Sequence, residues 1–264
     1  MSNSEPKNLC PEDISKGLKT GLFGKKIIYY EKAGSSNDIA KSIAEESEEG
    51  TIVVVEEQTG GRGRLGRSWS SPKGGISFSI ILKPRTALSL ASRLTLTMGL
   101  CVANTIRSYG IDARIKWPND VLIYGNKVSG ILTELEAEKN IVKFAIIGIG
   151  INVNIDLEDI PEELRENTTT IRSHLGHDID RVEFIQKLLY EMEQNYILLK
   201  TQPFYEILSE IVALSDTVGR NVKIITPNRI IEGKAIGISR SGALILQKPN
   251  GSVEEIISGR CIYS

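Results

Sequence analysis

Apolar positions along the chain change period several times, and each change marks an element. Residues 27–30 read as a first strand. Ser35, Ser36 and Asn37 then offer capping side chains before Ile39, Ala40, Ile43 and Ala44, which recur at helical spacing. Gly50 closes that helix, and the β-branched run 51–55 predicts a buried strand. A loop over 60–75, rich in Gly, Arg and Ser, leads into another strand at 76–82, ended by Pro84. Residues 88–106 read as a long, largely buried helix. Three strands in a meander follow, around 120–124, 127–136 and 141–147, with Gly125-Asn126 as a two-residue hairpin turn between the first two.

Farther on, Val182, Ile185, Leu188, Leu189, Met192, Tyr196 and Leu199 mark one face of an amphipathic helix with Asp180 near its start. Pro203 opens one more helix, to about residue 214. Beyond it, β-rich stretches at 222–226, 230–238, 243–247 and 253–257 alternate with Asn, Gly and Pro turns, which predicts a small β-barrel or sandwich. Residues 1–24 are polar and without period, and read as a tail. The pattern therefore predicts an α+β protein: a tail over 1–24, a mixed domain over 25–214 and a small β domain over 215–264.

Composition narrows the classes. The 264 residues carry 32 Lys+Arg against 33 Asp+Glu, a formal charge of −1, so any anion site is local. With 41% hydrophobic and 25% charged residues, the chain is neither disordered nor fibrous. Cys10, Cys101 and Cys261 are odd in number, scattered and form no CxxC, which suits a reducing compartment and gives no disulfide framework or zinc knuckle. The N-terminus has no signal-peptide apolar stretch, and the longest apolar-plus-glycine run, 144–151, is too short for a bilayer. The expectation is a soluble cytoplasmic protein without membrane contact.

Four clusters carry candidate chemistry. The densest is Gly60-Gly61-Arg62-Gly63-Arg64-Leu65-Gly66-Arg67-Ser68-Trp69. Its arginines can grip phosphate or carboxylate with paired hydrogen bonds, its glycines permit close backbone approach, and Trp69 adds a flat apolar surface. Such a loop repels itself and is expected to order around an anion; a solvated basic loop is the alternative. Gly61, Gly63 and Gly66 also satisfy G-x-G-x-x-G, but Ser70-Ser71-Pro72-Lys73-Gly74-Gly75 follows and cannot start the helix that a dinucleotide site needs. No Walker-type loop is present either, since neither Gly24-Lys25 nor Gly233-Lys234 is followed by Ser or Thr.

The second cluster, Lys116-Trp117-Pro118-Asn119-Asp120, sets a cation near an amide and a carboxylate at a strand edge, as either a phosphate contact with a base or a surface turn. The third is Lys127-Val128-Ser129-Gly130-Ile131. Strict alternation there sends Lys127, Ser129 and Ile131 to one side, and Val128, Gly130 and Leu132 to the other. The fourth, 148–154, ends a strand in glycines that let backbone approach a ligand, with Asn152 able to read a base or sugar edge. His174 and His177, the only histidines, read as solvated surface rather than a metal site, and no G-x-S-x-G elbow exists.

In this order and spacing the four clusters strongly resemble the biotin protein ligase family, from about residue 27 to the C-terminus. The resemblance implies a mixed-sheet catalytic domain related to class II aminoacyl-tRNA synthetases, followed by an SH3-like β domain. It also implies a two-step reaction with Mg²⁺ and ATP: biotin becomes biotinyl-5′-AMP, and a lysine of a biotin carboxyl carrier domain then takes the biotinyl group. By similarity Lys127, Arg64, Asp120 and Lys116 are catalytic. Ser35, Ser36, Asn37, Gln58, Gly61, Arg62, Lys127 and Gly130 contact biotin. Arg62, Arg64, Arg67, Trp69, Lys116, Asn119, Lys127 and Asn152 contact the adenylate, and no protein-built metal site is expected.

Ser36 stands where a threonine is common in the family, which keeps the hydroxyl, and Gly60 where an alanine is frequent. A catalytic start near residue 27 leaves no room for the helix-turn-helix domain of some members, so sequence-specific DNA binding is not expected. Members often form homodimers, and the resemblance leaves the identity of the carrier open. Two alternatives remain: a lipoate-type ligase or acyltransferase, whose glycine-rich signature is absent here, and an RNA-binding protein, which net charge and few interleaved aromatics oppose.

Overall fold

The computed structural model describes residues 8–88 and 91–264. Its elements are, in chain order, α1 (Pro11–Gly17), β1 (Ile27–Ala33), α2 (Ser36–Ile43), β2 (Ile52–Gln58), β3 (Ile76–Leu82), α3 (Ala91–Arg107), β4 (Ala113–Lys116), β5 (Asp120–Ile123), β6 (Asn126–Glu138) and β7 (Ile141–Ile151). Then follow α4 (Glu162–Arg165), α5 (Ile171–Leu175), α6 (Arg181–Thr201), α7 (Tyr205–Ala213) and strands β8 (Asn221–Ile225), β9 (Ile230–Ile238), β10 (Leu244–Gln247), β11 (Val253–Ile256) and β12 (Arg260–Tyr263). Of the long helix expected over 88–106, Ser89 and Leu90 lie outside the described residues, as does 1–7 of the expected tail.

Seven strands form one mixed sheet in the order β1-β2-β3-β7-β6-β5-β4, with β1 parallel to β2 and every other pair antiparallel. Residues 52–55 of β2 are apolar on both faces because helices cover one side and α2 the other. The second sheet is antiparallel, β11-β10-β9-β8-β12, and an SH3-like unit fits that order. Helix α6 is capped as its sequence predicts: the Asp180 carboxylate accepts from the N–H groups of Val182 and Glu183.

Four features depart from the sequence pattern. Residues 8–24 are not a loose tail, because Leu9, Ile14 and Phe23 are fully buried around α1. These anchors follow no period, and the segment is held through backbone contacts to α6. Gln186 donates to the carbonyls of Asp13 and Ile14, while the Glu193 carboxylate accepts from Gly21, Leu22 and Phe23 N–H groups at 2.6–2.7 Å. Strands β4 and β12 are four-residue elements without a pattern of their own, paired with β5 and β8. The hairpin turn is Tyr124-Gly125, not Gly125-Asn126: both have positive φ (48° and 86°), as a two-residue turn of this hand requires, and Asn126 already pairs with Ile123.

The fourth departure bears on function. Register shifts between Val121 and Leu122, so that Val121 faces Ser129 and Leu122 faces Lys127, leaving Val128 as the extra residue of a β-bulge. The bulge breaks alternation. Lys127 comes onto the face of Gly130, whose added Cβ would lie 3.1 Å from Lys127 Nζ, while Ile131 turns into the core.

One buried ion pair ties these layers together. Arg181, at the start of α6, donates to Glu56 of β2 at 2.5 Å and to the Gly75 carbonyl at 2.7 Å; Glu56 also accepts from Leu9 N–H at 3.1 Å. Both side chains are almost wholly excluded from solvent. Replacing Arg181 by Met leaves the Glu56 carboxylate buried without its counterion. It is expected to cost about 3 kcal/mol of stability, read as a lowered urea midpoint at unchanged slope.

Candidate active site

Strand β3 carries two serines, Ser77 and Ser79, in an otherwise apolar run, and they start a polar floor. Ser79 Oγ donates to Asn37 Oδ1 at 2.6 Å and lies 2.7 Å from Ser36 Oγ. Ser36 N–H donates to Gln58 Oε1 at 2.8 Å, and Gln58 Nε2 donates to Ser71 Oγ at 3.1 Å; Ser71 in turn shares a hydrogen bond with Ser77. Ser35, Ser36, Asn37, Ser71, Ser77 and Ser79 are all buried. Ser35 is the N-cap of α2, but its side chain makes no capping bond.

Above this floor the arginine loop forms a small arch. Trp69 N–H donates to Gly61 O at 2.9 Å, Gly63 N–H donates to Arg67 O at 2.6 Å, and Arg62 bridges Ser68. The expected self-repulsion is answered by protein acceptors. Arg62 reaches Asp38 (2.5 Å) and Glu134 (2.8 Å); Arg64 donates to Asn119 Oδ1 (3.0 Å) and lies 3.5 Å from Gly259 O; Arg67 reaches Arg64 O. Burial holds the Arg64 guanidinium below its ordinary pKa; nearby Asp120 opposes this and Arg67 adds to it.

The glycines of β6 and β7 serve protein side chains before any ligand. Gly130 pairs with Gly150 across the two strands, and the Trp69 indole lies in the flat slot this creates. An added Cβ at Gly150 would fall 2.3 Å from the indole nitrogen, and one at Gly148 would fall 2.0 Å from Asn37 Oδ1. Lys127 Nζ lies 5.3 Å from the Trp69 ring and pairs with Asp120 at 2.7 Å. Lys116 Nζ lies 4.4 Å above the ring of Tyr263, on the last strand. These groups enclose a cavity of about 790 Å³, lined also by Gly259, Arg260, Cys261 and Ile262. Burial raises the Cys261 thiol to about 11.

Most of the residues singled out in the sequence meet here: Ser35, Ser36, Asn37, Gln58, Arg62, Arg64, Arg67, Trp69, Lys116, Asn119, Asp120, Lys127, Gly130 and Asn152 all line the cavity. Gly61 does not; it closes the arch, where a Cβ would strike Trp69 O at 2.4 Å. The Asn152 side chain is buried and donates to Thr169 O at 3.1 Å, bracing the cavity wall at 167–169. Asn119 is likewise fixed, donating to Ile131 O at 3.1 Å while accepting from Arg64.

His174 is exposed, beside Thr169 and the Tyr124 ring; partial desolvation of the imidazole lowers its pKa. Among the described residues no group of three or more His, Cys, Asp or Glu side chains could hold a metal ion. No helix there is long and apolar enough to cross a membrane. Sequence reasoning missed Glu134, the serines at 71, 77 and 79, and strand β12. Ser77 and Ser79 had a signal, polar residues two apart in an apolar strand; Ser71 and β12 had none.

Known proteins share this arrangement. Residues 34–152 match the Biotin/lipoate A/B protein ligase family and 217–263 the Biotin protein ligase C terminal domain. The Bifunctional ligase/repressor BirA of Bacillus spizizenii is 40% identical over 252 residues, covering 94% of this chain and 77% of that longer protein. The Biotin--[acetyl-CoA-carboxylase] ligase of Paracoccus denitrificans is 31% identical, over 83% of this chain and 93% of its own. Biotin protein ligase from Aquifex aeolicus, solved in complex with biotin and ATP, superposes with a TM-score of 0.79 at 34% identity, over 91% of this chain and 99% of that one. Likeness of this extent, running through both sheets and all four clusters, makes the chain a member of the biotin protein ligase family.

Proposed function

We propose that the cavity between the arginine arch and the β6–β7 glycine floor joins biotin to ATP and passes the biotinyl group to a carrier lysine. The convergence of six cationic side chains, Arg62, Arg64, Arg67, Lys116, Lys127 and Arg260, on a cavity with a polar floor at one end carries this reading. In the first step a biotin carboxylate oxygen attacks the α-phosphorus of ATP. A C–O–P anhydride forms, the bond to the β-phosphate oxygen breaks, and pyrophosphate leaves. Two anions must meet, so fixed positive charge in a partly desolvated site is the main requirement. In the second step a neutral lysine amine attacks the acyl carbon. An amide forms, AMP leaves with the bonding pair, and the amine gives up one proton.

Lys127 supplies charge at the reacting carboxylate and α-phosphate. Its partner Asp120 keeps the ammonium directed into the cavity and is the nearest group to orient or deprotonate the incoming amine. Lys116, held over Tyr263, and Arg64 and Arg67 face the phosphates. Ser36, Asn37 and Gln58 present the hydroxyl and amide groups that a cyclic urea can bond, and Asn152 supports the adenylate end through the 167–169 wall. Mg²⁺ enters with ATP as part of the substrate. Asp120 and Glu163 are the carboxylates lining the cavity, so phosphate oxygens and water supply most of its ligands.

The acceptor is a carboxyl carrier domain, and a cytoplasmic setting fits three free thiols. Arg62 and Arg64 are engaged by Asp38, Glu134 and Asn119, and no operator binding is assigned to these residues. A lipoate-type activity is separated by the acid that supports turnover. Exchange of labelled pyrophosphate into ATP is expected with biotin and absent with lipoate or no acid; exchange with lipoate alone would move the chain to the sister activity.

Lys127→Ala is expected to lower biotin-dependent exchange about 10²–10³-fold. Its folding free energy should stay within about 2 kcal/mol of the parent, since the pair is partly exposed, 30% and 21%. Near-normal exchange would move the charge-stabilising role elsewhere. Arg64→Gly removes the bonds to Asn119 and Gly259 and opens that end of the arch. Biotinyl-AMP is expected to escape and label bystander proteins, measured by blotting against an unrelated protein; unchanged selectivity would count against a closing role.

A further inference from the structure

One carboxylate oxygen joins the arginine arch to the floor beneath it. Glu134 Oε2 accepts from Arg62 Nη2 at 2.8 Å and from Asn37 Nδ2 at 2.7 Å. From Asn37 the hydrogen bonds continue through Ser79 to Ser36, then through Gln58 to Ser71. Arg62 and Ser71 both belong to the loop over 60–75. The network therefore leaves the loop at one foot, crosses the floor on β6, α2, β3 and β2, and returns at the other foot.

We infer that Glu134 is a positioning residue that transmits occupancy of the polar floor to Arg62. The inference rests on the reading that this floor takes the biotin ring. Asn37 cannot move independently of its neighbours: its amide donates to Glu134, its oxygen accepts from Ser79, and it is pressed against the Gly148 backbone. A ligand that bonds Ser36 or Asn37 repolarises or turns that amide, and the change arrives at Glu134. Buried chains of this kind polarise one another, and the bond at the far end is charge-assisted, hence stronger than a neutral one.

Asp38 also holds Arg62, at 2.5 Å, but its side chain is 61% exposed against 22% for Glu134. Water screens the Asp38 contact more strongly, and Asp38 makes no bond to the floor network. The two carboxylates thus hold the same guanidinium, and Glu134 is the one in contact with the biotin end.

The test measures amide hydrogen exchange over 62–69 in the full chain, with and without saturating biotin, beside biotin affinity by calorimetry. In the parent, biotin is expected to bind and to slow exchange at least about fivefold, the lower end of ordinary coupling between sites. Glu134→Gln is expected to bind biotin within about threefold of the parent yet lose the slowing, while Asp38→Asn keeps it. Ser79→Ala retains both carboxylates and removes the hydroxyl between Ser36 and Asn37; it too is expected to lose the slowing, and it tests the route if Glu134→Gln misfolds. Equal slowing in Glu134→Gln and the parent, loss in Asp38→Asn as well, or full slowing in Ser79→Ala would each overturn the inference. A parent that binds biotin without any slowing overturns it too, whereas a parent that binds no biotin overturns the ligase reading itself.

Discussion

Like charges repel more strongly where water is excluded, and the six cations that line one cavity, Arg62, Arg64, Arg67, Lys116, Lys127 and Arg260, must be held against that. The fold gives four of them partners of three kinds. Lys127 has a carboxylate, Lys116 an aromatic face, Arg64 an amide oxygen, and Arg62 two carboxylates. Of these four only Lys127 and Arg62 are paired with formal negative charge, so net positive charge remains along the cavity. Arg64 shows the residual strain of that choice, since burial lowers its pKa and Arg67 adds to the effect.

These partners come from distant parts of the chain, which makes the site a product of the whole fold. Tyr263 lies on the small C-terminal sheet and the Gly259 carbonyl just before its last strand, while Lys116 ends β4 of the large sheet and Arg64 lies in the arginine loop. Trp117 fastens the two. Its side chain is buried, its indole N–H donates to Gly242 O at 3.2 Å, and its backbone N–H donates to Thr217 Oγ1 at 3.0 Å. Trp117 therefore both lines the cavity and anchors the two sheets to each other, and the C-terminal sheet forms one wall of the cavity.

Where a periodic pattern faced one environment, the sequence was legible: β3 and β9 have the expected bounds, and α6 follows its apolar stripe and Asp180 cap. Legibility failed where a tertiary contact overrode the period. The bulge at Val128 reassigned the faces of β6, and the three anchors of residues 8–24 are spaced by the surface they pack on. Of the site, the arginine loop and the segment 116–120 were visible because Gly, Arg, Trp and Pro are costly choices for an ordinary loop. Glu134 was hidden because a glutamate in a strand looks like solvent exposure until Arg62 and Asn37 are brought beside it.

The glycine pair in β6 and β7 joins the folding requirement to the chemical one. Gly130 and Gly150 carry no side chains at the point where strands of the mixed sheet face the cavity, and that loss of packing is offset by a large indole lying flat on them. The indole in turn covers backbone beside Lys127 and lowers the local dielectric around its ammonium. Charge on Lys127 is then worth more to an anion beside it than it would be in water. A two-step reaction through a hydrolysable anhydride needs that same exclusion of water. The arch that brings Trp69 into the slot also brings Arg62 and Arg64 to opposite ends of the cavity. Packing, electrostatics and closure are therefore set by one loop resting on one glycine pair.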